Sequence, residues 1–428
     1  MTRRPDRQRR GPWSVVAVSA LAIGLGAGPG FLLGFVAPAV QSELGISRGA
    51  LGLLLGMFFG ACGLTSLFAA RVGATLGART CIMLDLALVA VTMAVTATRI
   101  SYPLLAVVAV TGGAGYAFGN VGTNLAVTAV AGQGATGLAL TLKTGGVPAV
   151  ASLLALGSGL IATGGWQRLA WALAGASAVA AGLVAAVVPR VSGGAGAPRR
   201  EPALQHGFWV LPVAAFLFIA GSQPLLSWTV TYLHGPIGLS TVQAGSLISA
   251  ATVVGLAAMP VVAAVADRVG RGRRAAFVAA ICLAAGVGVL TILAGSRWGV
   301  ALTAAGVVLG IGSNLAGAGL THAVVVDRAP AAVGRASGVT MAGYYLGAMV
   351  APWVFGVIAD ASGGYVLPWT ICAVLLALAA LAYWRAHRTM PVAHVPPPPN
   401  GWMPQSSRSR RRALRDSVGI KSPTSDTV

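Results

Sequence analysis

The sequence predicts an all-α polytopic membrane protein, twelve transmembrane helices in two six-helix halves. Three observations carry this. Apolar residues make up 56% of the chain and charged residues only 9%, where soluble domains carry about 25% charged. The apolar residues are gathered into twelve runs, each near the ~20 residues that cross a hydrocarbon core. A polar interruption at 189–207, PRVSGGAGAPRREPALQHG, divides those runs six and six.

The elements follow in order. Residues 1–12, MTRRPDRQRRGP, are basic, and the apolar run after them is too long for the core of a signal peptide. It is therefore read as an uncleaved first span, 13–38, with Pro12 and Trp13 at its interface end. Spans 49–69, 80–98 and 103–125 follow, the last two separated at 99–102 by a turn marked by Arg99 alone. Spans 137–161 and 167–188 complete the first half, 13–188. After the link at 189–207, the second half (208–388) holds spans 208–233, 243–266, 275–294, 298–320, 336–358 and 367–385. Its break at 295–297 again rests on one Arg, Arg297. Pro29, Pro148, Pro224 and Pro352 fall inside spans, where proline bends helices that must move. The tail, 389–428, carries PPPP at 396–399 and SSRSRRRALR at 406–415 and has no apolar periodicity. It is expected to be extended and disordered, with a weak attraction to anionic lipid.

The loops set the orientation. Of 29 Lys and Arg, 24 lie in the segments on the N-terminal side of the membrane, and four, Arg48, Arg99, Arg168 and Arg297, lie on the other. Lys143 is inside a span. Basic residues accumulate on the cytoplasmic side, so both termini are expected to be cytoplasmic in a multi-pass cell-membrane protein. An internal repeat agrees with two halves. AARVG (69–73) after the second span matches ADRVG (266–270) after the eighth. GATGLALTLKTGG (134–146) matches GRASGVTMAGYYLG (334–347), with Gly137 on Gly338 and Gly146 on Gly347.

Composition also excludes. A formal charge of +20 in a soluble protein would suggest nucleic acid, but here the charges sit between apolar runs without the aromatic interleaving of a strand-binding groove. Cys62, Cys81, Cys282 and Cys372 lack metal spacing and read as small core residues. No GxxxxGK[ST] loop points to ATP. No Ser–His, paired-Asp or metal cluster points to an intramembrane enzyme, and no filter-like repeat points to a channel. No cofactor and no metal are expected.

The stretch AAVADRVGRGRR (263–274) resembles the loop signature of the major facilitator superfamily. Asp267, Arg268, Gly270 and Arg271 stand in its positions, able to pair charges between neighbouring helices and form a tight turn. The first-half copy has Ala70 and Ala74 where an acidic and a basic residue would stand, so its latch is expected to be weaker. The resemblance covers about 13–388. It implies secondary transport, often proton-coupled, by alternating access, with a cavity formed chiefly by the first, fourth, seventh and tenth spans. The stretch 119–146 is loosely similar to the branch that carries small anions and metabolites, such as cyanate-type carriers. The fourth span has no Arg and the fifth no paired Gly-Pro, which leaves a drug or metabolite efflux carrier of the same fold as the alternative.

Carried onto those spans, the resemblance makes Asn120, Asn124, Gln223, Trp228, Tyr232 and Asn314 cavity candidates, with Tyr344 from the eleventh. Asn120 and Asn124 share a helical face and could bind a polar solute or bond across helices. Charge inside a membrane is costly and is a functional hypothesis by default. Lys143, some 9 Å into the fifth span at ~1.5 Å per residue, could attract an anion, snorkel to the surface or pair with Asp85. Asp85 could carry a proton or pack in a pair. His322 could couple protons or make an interfacial hydrogen bond. The expected partners are membrane lipid, a small-molecule substrate and protons, with no nucleic acid, and the carrier is expected to be a monomer.

Overall fold

The computed structural model describes residues 11–131, 136–160, 165–190 and 202–390. The basic N-terminus before Gly11, most of the central link and the tail beyond Met390 lie outside the described residues. Twelve helices among the described residues are long and apolar enough to cross a membrane: Pro12–Phe35, Arg48–Leu76, Ala78–Thr98, Tyr102–Val130, Leu138–Gly159, Gln167–Val187, His206–Ser227, Thr241–Val269, Arg274–Trp298, Val300–Arg328, Pro330–Ala361 and Val366–Thr389. A short helix, Ala37–Leu44, follows the first span. The protein is an all-α polytopic membrane protein of twelve spans.

The helices start and break for local reasons. Ser47, Ser101 and Ser240 cap the second, fourth and eighth spans through their hydroxyl oxygens, and Ser240 with Gln243 forms a full capping box. The fifth span is two pieces, Thr136–Thr144 and Gly146–Leu160, because Pro148 has no N–H to offer the Thr144 carbonyl. In the seventh, Pro224 interrupts the chain at Gln223, leaving Val210–Ser222, Pro224–Ser227 and Thr229–His234. Pro29 and Pro352 stay within continuous helices. The ninth span runs on past Arg297 to Trp298 and ends at Gly299, whose φ of 113° only glycine adopts freely. The break expected at 295–297 therefore lies slightly later.

The same backbone signal corrects the register of the repeat. The eighth span ends at Gly270 (φ 85°, ψ 160°) and the second ends at Gly77 (φ 82°, ψ 160°), while Gly73 is helical. Gly77, not Gly73, is thus the structural counterpart of Gly270, and Ala74 stands where the second half has Asp267. The other match keeps its register: Gly146 lies against the Ala20 backbone of the first span as Gly347 lies against the Phe216 backbone of the seventh.

Packing repeats as well. The first span packs on the fifth and sixth, the second on the fourth, and the third on the fourth and sixth. The seventh packs on the eleventh and twelfth, the eighth on the tenth, and the ninth on the tenth and twelfth. The second and eleventh spans, and the fifth and eighth, join one set to the other. Both junctions start at the end of the molecule remote from Pro12, and the first runs on to the middle of its two spans. Gly49, Gly52, Gly56, Gly60 and Gly63 face Val357, Pro352, Met349 and Tyr345, and Gly159 and Gly245 face Val242 and Ala155. Ser152 Oγ and Ser249 Oγ lie 2.8 Å apart across the second of these seams.

Candidate functional site

Lys143 lies in the last turn of the first piece of the fifth span and is 2% exposed. Its stem folds onto the fourth span, and its Nζ donates to Asn120 Oδ1 at 2.8 Å and to Asn124 Oδ1 at 3.0 Å. The two amides, one turn apart on the fourth helix, form a two-point clamp. Lys143 therefore does not snorkel and is not paired with Asp85. Neutral carbonyl dipoles orient the ammonium but leave its charge in place, and among the described residues no carboxylate pairs with it. Asn124 is exposed and Asn120 half-buried, so the clamp borders accessible space. Tyr116, one turn before Asn120, is half-buried and packs with Cys62 and Tyr345, where the second, fourth and eleventh spans meet. Tyr344 is half-buried beside Tyr345, ring centroids 5.8 Å apart.

The remaining candidates divide. Asn314 and Gln223 are buried, and Asn314 Oδ1 accepts from Ser222 Oγ at 2.9 Å. Trp228 is fully buried and donates through Nε1 to the Pro352 carbonyl at 3.1 Å. Tyr232 stacks edge-on against Tyr365 and Trp369 near the far end. Asn314, Trp228 and Tyr232 tie the second-half helices together, and among the described residues none of the four bonds to Lys143. His322 is exposed, its Nδ1 3.2 Å from the Ala318 carbonyl, on a tenth-span face it shares with Gly319 and Val326. Asp85 is 0% exposed, and neither of its oxygens has a hydrogen-bond partner.

The loop motif forms a charge cluster across three helices. Asp267, at the end of the eighth span, accepts from Arg274 of the ninth at 2.8 Å. Arg274 also pairs with Asp327 of the tenth at 2.5 Å, and Arg271 reaches the same carboxylate at 3.5 Å. Arg328 donates to the carbonyls of Gly272 and Met390, and His387 Nδ1 lies 3.0 Å from the former. Gly270 makes the turn; Arg268 enters no ion pair among the described residues. In the first half, Arg79 donates to the Ala185 carbonyl instead. Asp327, which is buried, and Arg274, which is half-buried, were not singled out from the sequence. The Asp-Arg pair closing the tenth span was the available signal.

A second unforeseen cluster closes the far end. Asp360 of the eleventh span accepts from the backbone N–H of Arg48 at 3.2 Å and of Gly49 at 2.8 Å, so its carboxylate caps the second span across the seam. Arg48 donates to the Ala359 carbonyl at 3.1 Å and lies over the Tyr365 ring. Arg48, Asp360 and Tyr365 line a cavity of about 890 Å³ with Gln41, Tyr232 and His234. It lies at the opposite end from Lys143 and takes in only Tyr232 of the candidates.

A family model described as the Major Facilitator Superfamily matches residues 13–318 and 272–421. The chain belongs to the Major Facilitator Superfamily. This is a family of transporters, and secondary transport across a membrane is the general activity it brings. Among solved structures the chain is similar to a bacterial homologue of the human lysosomal transporter Spinster in its inward-facing, unoccupied conformation. That match has TM-score 0.72 and 14% identity and covers 90% of this chain and 98% of that one. The nucleoside transporter NupG, in a mutant form, gives TM-score 0.70 and 13% identity over 87% and 99%. The Spinster homologue in its occupied form gives 0.66 and 17% over 88% and 97%. At these identities the likeness is one of fold. No curated protein sequence matches the chain. Among the described residues no group of His, Cys, Asp or Glu is placed to hold a metal.

Proposed function

We propose that this superfamily member is a secondary active transporter of a small organic anion, with both termini cytoplasmic and Lys143 as the cation that selects the cargo. One observation carries the reading: an ammonium 2% exposed within a span, clamped by two amide oxygens and paired with no acid among the described residues. Such a charge is costly inside a membrane and is retained where it meets an opposite charge. A bound anion supplies it. Asn120 and Asn124 hold the ammonium and offer their NH₂ groups to the same solute. Asn124 and His322 are exposed in the halves of the fourth and tenth spans toward the N-terminal side, while the seams and the Asp360 cap join the helices toward the other.

Uptake into proteoliposomes across an anion panel (cyanate, lactate, methanesulfonate) tests it. Lys143→Gln is expected to lower anion uptake at least about tenfold, the worth of ~1.4 kcal/mol, while Lys143→Arg, which keeps the charge, retains more of it. Equal anion affinity in wild type, Gln and Arg proteins would sink the substrate role. Orientation has its own test. A cysteine at Gly235 should react with an impermeant thiol reagent added outside, and one at Ala197 should not. The reverse pattern would invert the topology.

A further inference from the structure

Asp85 occupies a seat built for it. Its carboxylate lies between three glycines, Gly26 of the first span and Gly115 and Gly119 of the fourth. A Cβ at Gly26 or Gly119 would overlap that carboxylate, and one at Gly115 would lie 3.2 Å from Oδ1. Three helical positions are thus reduced to hydrogen to make room for an acid. Yet the acid is 0% exposed and both oxygens lack a partner among the described residues. A buried polar group that makes no bond destabilises the fold, and an ionised one far more so. An apolar side chain would fill the notch at lower cost. Packing alone does not account for aspartate here.

Among the described residues the surroundings hold no compensating charge. The first span, Pro12–Phe35, has no ionisable side chain. The fourth contributes Tyr116 and the second Cys62, packed together and neither of them a cation. The sixth span carries only Arg168, at its far end, and Arg79 on the third span is engaged with the Ala185 carbonyl. Lys143 is engaged with Asn120 and Asn124. We infer that Asp85 is the proton-binding site of this carrier: a carboxyl in a glycine notch that takes one proton from water on one side and returns it to water on the other. No bond other than O–H forms or breaks.

The fourth span links this site to the cargo. Gly119 walls the Asp85 notch, and the next residue, Asn120, holds the Lys143 ammonium, so the two contacts leave the helix about 100° apart. A movement of the fourth span that releases Lys143 also opens the notch to water. With the proton on Asp85 and the anion beside Lys143, the loaded half carries one fewer net charge through the membrane than the anion alone would bring. This coupling rests on the anion-carrier reading; the proton site itself does not.

Infrared difference spectroscopy of the purified full chain in nanodiscs, taken between acid and neutral pH, tests the site without any cargo. The wild type is expected to show the C=O stretch of a protonated carboxylic acid that is absent from Asp85→Asn. Glu43→Gln, in a residue hydrogen-bonded to Trp166, should leave that band unchanged. Gly119→Ala, which crowds the seat, should shift it, a control should Asp85→Asn fold poorly. No such band in the wild type, or the same band in Asp85→Asn, overturns the proposal. In proteoliposomes with a trapped pH dye, anion uptake by the wild type should acidify the lumen; uptake without acidification overturns the coupling. If the wild type carries none of cyanate, lactate or methanesulfonate, the anion reading fails, and the infrared result still decides Asp85.

Discussion

Gly52→Leu is expected to insert normally and to transport poorly. Leucine is a better helix former than glycine, so the second span itself gains. The seam does not. A Cβ at position 52 would fall on the Pro352 carbonyl oxygen, 2.8 Å from its carbon and 2.9 Å from Trp353 Cα. These are backbone atoms and cannot rotate aside. The two spans must separate, and the state closed at this end is penalised. Overpacking costs ~1–3 kcal/mol, which lowers the population of that state about five- to 150-fold. Gly60→Ala is the control, since its Cβ would meet the flexible Met349 side chain, which can move. Ser249, buried against Ser152 in the other seam, reports the opening when changed to Cys. Its alkylation should rise in the Gly52→Leu background and stay low with Gly60→Ala. Unchanged alkylation together with wild-type transport would remove the seam from the transport cycle.

What could be read in the sequence follows what sets each feature. Span number and class were legible because membrane crossing imposes a length and a polarity on every helix. The breaks at Pro148 and Pro224 were legible as proline positions, though not as interruptions at Gly145 and Gln223. The loop repeat was found but set four residues off. Gly73 and Gly77 each follow an apolar residue, Val72 and Leu76, and only the backbone dihedral shows which one ends the helix. The Lys143 clamp was half legible. Asn120 and Asn124 were placed on one face, and Lys143 was marked as a charge inside a span. That the two features meet is a tertiary fact, since the fourth and fifth spans could have faced each other in other rotations. The Asp360 cap was beyond reach for the same reason, as it joins residues more than 300 positions apart. The superfamily likeness reached by motif was sound for the second half. In the first, the corrected register puts Ala74 and Ala78 opposite Asp267 and Arg271, so little of the signature survives there.

Asp327→Asn is expected to disturb the charge cluster at the end of the eighth, ninth and tenth spans far more than Asp267→Asn, although the loop motif points to Asp267. The reason is burial. The Asp327 side chain is 4% exposed and serves both Arg274 and Arg271, whereas that of Asp267 is 75% exposed and serves Arg274 alone. An exposed pair is worth ~0–1 kcal/mol. Breaking a buried one leaves an uncompensated charge and costs ~3–5 kcal/mol. Arg274 keeps Asp267 when Asp327 is lost, and Arg271 is largely exposed, so the lower end of that range applies. Asp327 also belongs to the tenth span, so its loss unties that helix from the eighth and ninth at the end where His322 is exposed. Thermal unfolding of the purified variants should show a clear drop in Tm for Asp327→Asn and little change for Asp267→Asn. Salt should erase most of the Asp267 effect, because exposed pairs are screened within about 10 Å at 0.1 M, and leave most of the Asp327 effect. The double variant should fall short of the sum, since both carboxylates act through Arg274. If Asp267→Asn instead costs as much as Asp327→Asn in both stability and transport, the cluster is governed from its exposed end, and the motif position, not the buried carboxylate, is the latch.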